Sequence, residues 1–308
     1  MVELKRDNVL DWIKIKGFLI VCVVLGHTMR VGSCADILDK IVLQGIYGFH
    51  MPLFMLLAGY FFKIDEPVKM IKKTFLRVIV PYMVASIMFG FVYLLQGRSL
   101  VDVISSVGLG YANGALWFLY ALAIIQIIIS IGIGVGRMRF GKGLVIPVSA
   151  VLFALLIYSP IRCELWMLFY FGCGMFLSRY KDLFPSGIIG ALGIALILWY
   201  GYPWYTKLCY QTIGLSLFAL MVLHSIALKA SSVKGVKFFS CIGRHTMVIL
   251  IFHPLFNAAY KLLMRPILSI DGSGVLFFFS SAFFSISGCI LLEFALKKCC
   301  VGWLFGLR

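Results

Sequence analysis

The stretch "KGFLIVCVVLGH", residues 16–27, opens on a lysine, runs through an uncharged apolar segment and closes on a histidine. Extended to residues 12–30, it is long enough for a helix across a hydrocarbon core of about 30 Å, which takes about 20 residues. Further apolar runs of this kind fall near 42–62, 75–95, 114–135, 143–159, 164–178, 186–202, 208–228, 244–263 and 273–296. Of the 308 residues, 62% are hydrophobic and 13% charged, with a mean hydropathy of +1.02, whereas soluble domains carry about 25% charged residues. No period-two alternation marks barrel strands, and the runs are too long for them. Helices are then the spanning structure that satisfies the backbone in lipid. The expectation is an all-α, polytopic integral membrane helical bundle of about ten transmembrane helices. It forms one membrane-embedded domain over residues 1–308, with no polar region long enough for a soluble domain.

The net charge of +16 would suit nucleic acid if it formed one patch, but it sorts by loop. With the N-terminus inside, Lys5, Arg6, the groups from Lys63 to Arg77, Arg137 to Lys142, Arg179 to Lys181, Lys229 to Lys237 and Lys297 to Arg308 are cytoplasmic. The outer segments hold Arg30, Lys40, Arg98, Arg162, Lys207, Lys261 and Arg265. This asymmetry follows the positive-inside rule. It makes membrane lipids, not nucleic acid, the expected surroundings and places both termini in the cytoplasm. A cleaved leader is the rival reading of the N-terminus, because "VGSCAD" after the first run loosely resembles a processing site. Asp7 and Asp11 sit poorly in a positive leader, and the orientation of the later spans needs the first. The nine cysteines show no CxxC spacing, so no metal site is expected. Cys34, Cys163 and Cys209 fall at outer span ends, where an oxidising compartment would allow a disulfide.

Ionisable residues inside a span are costly and mark functional sites unless they reach water. Lys16 and His27 are eleven positions apart, which puts them on one helical face about 16 Å from each other. Lys16 near the cytoplasmic mouth can also snorkel to head groups. His50, in "YGFHMPLFMLLAGYFF", lies deep in the second run two residues before Pro52, which cannot donate to the carbonyl of Gly48. That reads as a kinked cavity wall or as a packing kink with a bonded histidine. His253 in "ILIFHPLF" repeats the pairing of histidine with proline, a short echo of the inverted repeats of transporters. His224 and His245 read as solvated interfacial residues. Glu293 with Lys297 reads as a helix pair at the cytoplasmic surface. Gln126 and Gln211 read as interhelical hydrogen bonds, and Trp117 as aromatic packing. The loop "KIDEPVKMIKKTFLR", residues 63–77, sets Lys72, Lys73 and Arg77 on roughly one side, either as a topogenic anchor or as a rim for anionic phosphates.

Four stretches together resemble the bacterial membrane acyltransferase 3 family, in particular its short members that acetylate surface polysaccharides. They are "LDWIKIKGFLIVCVVLGHT" at 10–28, "FHMPLFMLLAGYFF" at 49–62, "FLRVIVPYM" at 75–83 and "IGRHTMVILIFHPLF" at 242–256, with "LWFLYAL" at 116–122 as a weaker fifth. The resemblance implies a multi-pass protein of the bacterial inner membrane that takes an acyl group, usually acetyl, from cytoplasmic acetyl-CoA or another acyl-CoA. The acceptor is a hydroxyl of a glycan or lipid-linked glycan. It implies His27 as the catalytic residue and Lys16 where members carry an arginine, which loses the planar fork for a phosphate or carboxylate. It also implies Lys72, Lys73 and Arg77 as contacts of the coenzyme A phosphates.

The residues suit that chemistry. A hydroxyl is a poor nucleophile, and an imidazole is the side chain best placed to take its proton near neutral pH. His27 is then the base, His50 orients the acceptor or bonds the oxyanion, and Lys16 stabilises negative charge on the donor side. The same residues also allow His27 to carry the acyl group itself. A proton-coupled secondary transporter using intramembrane histidines is the reading from another class, and a family member turned to uptake or sensing is a third.

Overall fold

The computed structural model describes residues 2–29, 46–110, 115–137, 165–179, 216, 219, 234–264 and 275–307. Among the described residues every regular element is helical. In chain order these are α1 (Val2–Met29), α2 (Tyr47–Tyr60), α3 (Pro67–Thr74), α4 (Val80–Leu95), α5 (Leu100–Gly108), α6 (Trp117–Gly136), α7 (Leu165–Arg179), α8 (Lys234–Arg244), α9 (Thr246–Met264) and α10 (Val275–Lys298). Four are long and apolar enough to cross a membrane: the continuous α3–α4 rod Pro67–Leu95, α6, α9 and α10. Seven of the expected runs fall on described helices; 143–159, 186–202 and, apart from residues 216 and 219, 208–228 lie outside the described residues, as do Cys34, Cys163 and Cys209.

The surface inverts the soluble pattern. Along α4, Met83, Ile87, Phe91 and Leu95 form an i, i+4 stripe that is exposed, Leu95 to 73%. Along α10, Phe279, Phe283, Leu291 and Phe294 are exposed, while Ser281 and Ser285 on the other face are buried. Greasy side chains out and hydroxyls in is what a bilayer selects, since lipid tails solvate phenyl rings and leave hydroxyls to bond within the protein.

The chain forms two compact units. The first comprises Met1–Phe61 and Tyr170–Phe294. Here α1 packs on α2, α8 and α9. Two crossings depend on missing side chains. A Cβ on Gly17 of α1 would overlap the carbonyl oxygen of Phe239 in α8, and one on Gly243 would overlap that of Ile13. Likewise Gly59 of α2 lies against the carbonyl of Phe171, and Gly174 of α7 against that of Leu56. Such reciprocal glycine contacts let backbones touch, the usual way for helices to gain van der Waals energy in lipid.

The second unit comprises Phe62–Phe169 and Ala295–Arg308. Pro67 starts α3, where its missing N–H is no loss. Phe75–Ile79 forms a π turn in which the Val80 N–H reaches back to the Phe75 carbonyl. The widened turn accommodates Pro81, which cannot donate to the Arg77 carbonyl. Thr74 donates to the Gln126 side chain at 2.9 Å, the interhelical hydrogen bond expected of Gln126. Trp117 stacks edge-on to Trp166 at 6.3 Å, in keeping with its expected packing role. Tyr82 and Tyr120 donate to the carbonyls of Val107 and Gly108, closing the end of α5.

Candidate active site

Three histidines of the first unit, from α1, α2 and α9, share one device. Each turns its ring back along its own helix, Nδ1 facing the carbonyl four residues earlier. His27 faces Val23 at 3.0 Å, His50 faces Ile46 at 2.5 Å and His253 faces Ile249 at 2.7 Å. A ring nitrogen that close to a carbonyl oxygen carries the hydrogen, since two lone pairs would repel. In a neutral ring the lone pair is then on Nε2. His253 directs this Nε2 at His27 Nδ1, 3.0 Å away, with the ring centroids 4.8 Å apart. The Nδ1–H of His27 is thus shared between the Val23 carbonyl and His253, which leaves the lone pair of His27 on Nε2. His253 and His50 are buried, whereas His27 is only part-buried and within electrostatic range of both.

Lys16 is not part of this cluster. It lies half-buried on the same uninterrupted helix, eleven residues and so about 16 Å below His27. Gly17 beside it makes the close crossing with α8, which fixes where this turn of α1 lies.

His253 is the residue that sequence reading left out of the site. Its signal was visible in the FHMPLF and FHPLF echo, but the echo marks a shared local device, and what brings His253 to His27 is the packing of α9 on α1. One turn further along α9, Asn257 is buried, accepting from Ser285 and, at 3.4 Å, from Ser281 of α10. Its amide nitrogen has no partner among the described residues. Glu293 corrects the surface reading: it is 3% exposed and bonds His245 Nδ1 at 2.8 Å, so that His245 joins α9 to α10 instead of facing solvent.

The second unit holds a separate feature, a cavity of about 500 Å³ at the foot of α3 and the π turn. Lys69, Lys72, Lys73 and Arg77 line it together with Asp65, and the C-terminal segment supplies Trp303. Lys73 pairs with Asp65 at 3.1 Å and Lys69 with Glu66 at 3.0 Å. Lys72 and Arg77 have no acidic partner among the described residues and are exposed. The Asp65 carboxylate accepts the Glu66 backbone N–H and the Lys73 ammonium, which hold it below its ordinary range. The three residues expected to meet phosphates therefore do share one cavity. Among the described residues no cluster suited to a metal ion occurs.

Residues 10–294 match the family model of acyltransferase 3, described as an acyltransferase domain. The chain belongs to the acyltransferase 3 family. No curated protein matches it, and no solved structure does. The match and the apolar helices make the protein a multi-pass membrane acyltransferase, and they give no support to the transporter reading. The matched span of this acyltransferase includes His27, His50, His253 and the cationic wall of the cavity, and it ends before Trp303.

Proposed function

We propose that the protein is an O-acyltransferase of the bacterial inner membrane that moves an acetyl group from cytoplasmic acetyl-CoA to a hydroxyl of a cell-surface glycan or its lipid-linked precursor. The observation that carries this reading is the bond between His253 and His27, which fixes the basic nitrogen of His27. With Nδ1–H engaged, Nε2 takes the proton of the acceptor hydroxyl as its oxygen attacks the thioester carbonyl. The imidazolium that forms is stabilised through Nδ1–H by the His253 lone pair. Collapse of the tetrahedral adduct breaks the C–S bond, and the proton on His27 passes to the departing coenzyme A sulfur. The alternative in which His27 Nε2 itself receives the acyl group needs the same tautomer.

A neutral His50 with its Nδ1–H turned to the Ile46 carbonyl carries an acceptor, not a donor, at Nε2. This supports orientation of the acceptor hydroxyl, which donates to it, over donation to an oxyanion. Lys16 serves by charge along α1, and Lys72, Lys73 and Arg77 hold the coenzyme A phosphates in their cavity. The charge asymmetry of the loops supports the cytoplasmic position of that cavity and of both termini.

The test is turnover. Purified protein in lipid is given labelled acetyl-CoA with a reconstituted glycan acceptor, and free coenzyme A is measured for the native chain and His27→Ala. Loss of about 10²–10⁴-fold in the variant is expected for a missing general base. Equal turnover in both would remove His27 from the chemistry.

A further inference from the structure

The cationic cavity of the second unit has one aromatic wall, and that wall is built to stand open. The chain after α10 makes a 3₁₀ turn, Gly302–Phe305, ending on Gly306 in the left-handed conformation with φ 70°. The Gly306 N–H donates to the Trp303 carbonyl and the Leu307 N–H to that of Gly302, both at 3.0 Å. Phe305 is buried and anchors the turn to the unit, and Gly302 is buried beside it. Trp303, two positions before Phe305, is left 61% exposed and lines the cavity with Lys72 and Arg77. A turn anchored by one aromatic residue therefore presents the larger one to the space that two unpaired cations share.

We propose that Trp303 is a stacking platform for the adenine of the coenzyme A donor, making the C-terminal segment a nucleotide-specificity element of this chain. The proposal rests on the reading of the cavity as the donor phosphate site. Phosphates alone would be held by the lysines and Arg77 without regard to the base. An indole face adds attraction for a purine ring, because every base has a π face and stacking is worth enough to register in affinity. Trp303 lies beyond residues 10–294, so the platform is not part of the region matched to the family. A cavity of about 500 Å³ is within the range of small-molecule sites and has room for the nucleotide end of the donor, not for the whole of it.

The experiment uses the full chain in phosphatidylcholine nanodiscs, with calorimetric affinities for coenzyme A and for tripolyphosphate. The native chain is expected to bind coenzyme A more tightly than tripolyphosphate. Trp303→Leu is expected to weaken coenzyme A by about tenfold and leave tripolyphosphate unchanged, and Trp303→Tyr to restore most of the loss. Lys72→Gln combined with Arg77→Gln is expected to weaken both ligands. Coenzyme A affinity that survives Trp303→Leu but not the double variant would overturn the platform and leave the phosphate site standing; the indole would then be an interfacial anchor. Equal loss of both ligands in Trp303→Leu would also overturn it, since the segment would only support the wall. Coenzyme A affinity unaffected by either change would remove the cavity as donor site, and the platform with it.

Discussion

His27, His50 and His253 each bond a carbonyl one turn back, and that bond does more than anchor a ring. It selects the tautomer, and so decides which nitrogen is left to do chemistry. His253→Leu leaves the Val23 carbonyl to hold the Nδ1–H of His27 but removes the lone pair that steadies the ring and stabilises its imidazolium. The expected outcome is a loss in kcat of about 10–100-fold at unchanged KM for acyl-CoA, milder than loss of the base itself. His253→Gln keeps an acceptor near His27 Nδ1 and is expected to recover part of the rate, a split that steady-state kinetics would read and that a merely structural residue would not show. Asp65 gives a residue-scale prediction in the other unit. Its carboxyl titrates below its ordinary value of 3.8, so its contribution is fully present above that value and is lost as the pH falls through the lower folded one. Protection of the Glu66 amide, its exchange rate taken against the unprotected rate at each pH, is expected to fall once the pH drops below that ordinary value, and Asp65→Asn to abolish that step. The positions of His27 and His50 as candidates were legible in sequence because ionisable groups stand out in an apolar run. The part played by His253 was not, since 226 residues separate it from His27 and only the packing of two helices joins them.

Helix positions were legible because hydrophobic length is a direct consequence of bilayer thickness, and the runs at 75–95, 114–135, 244–263 and 273–296 correspond to α4, α6, α9 and α10. The way helices meet was not, because the chain has 30 glycines and nothing local tells a touching one from an idle one. Gly59 and Gly172 make the contrast. A side chain at Gly59 runs into the backbone of α7, whereas a Cβ on Gly172 of α7 has nothing within 4 Å. Gly59→Leu must push α2 away from α7, and because the obstacle is backbone the cost is expected at or above the usual overpacking loss of about 1–3 kcal/mol. Thermal unfolding in detergent should show a clear fall in Tm for Gly59→Leu and almost none for Gly172→Ala. The same displacement shifts His50, nine residues back on α2, so residual folded Gly59→Leu is expected to turn over slowly. The π turn at Phe75–Ile79 was also missed; Pro81 was its sign, but a proline near a helix start is equally compatible with a simple kink.

At the scale of the whole molecule, the distribution of charge predicts an orientation, and the geometry of the second unit ties the C-terminal segment to it. Charge counting puts the basic loop before α4 inside the cell and Arg98 outside. The structure adds that the C-terminal segment shares a cavity with Lys72 and Arg77, so Cys299 and Cys300, which precede Trp303 and are exposed, belong on the same side as that loop. Arg98 follows the far end of the α3–α4 rod, whose 29 residues span about 43 Å, enough to cross the bilayer. A chain keeping Cys299 as its sole cysteine is therefore expected to react with a membrane-impermeant maleimide in inside-out vesicles and not in intact cells. Moving that cysteine to Arg98→Cys should reverse the pattern. Labelling of Cys299 from outside would place the cationic cavity away from the cytoplasmic side on which the proposed acyl-CoA donor lies, and would overturn the reading of that cavity as the donor site.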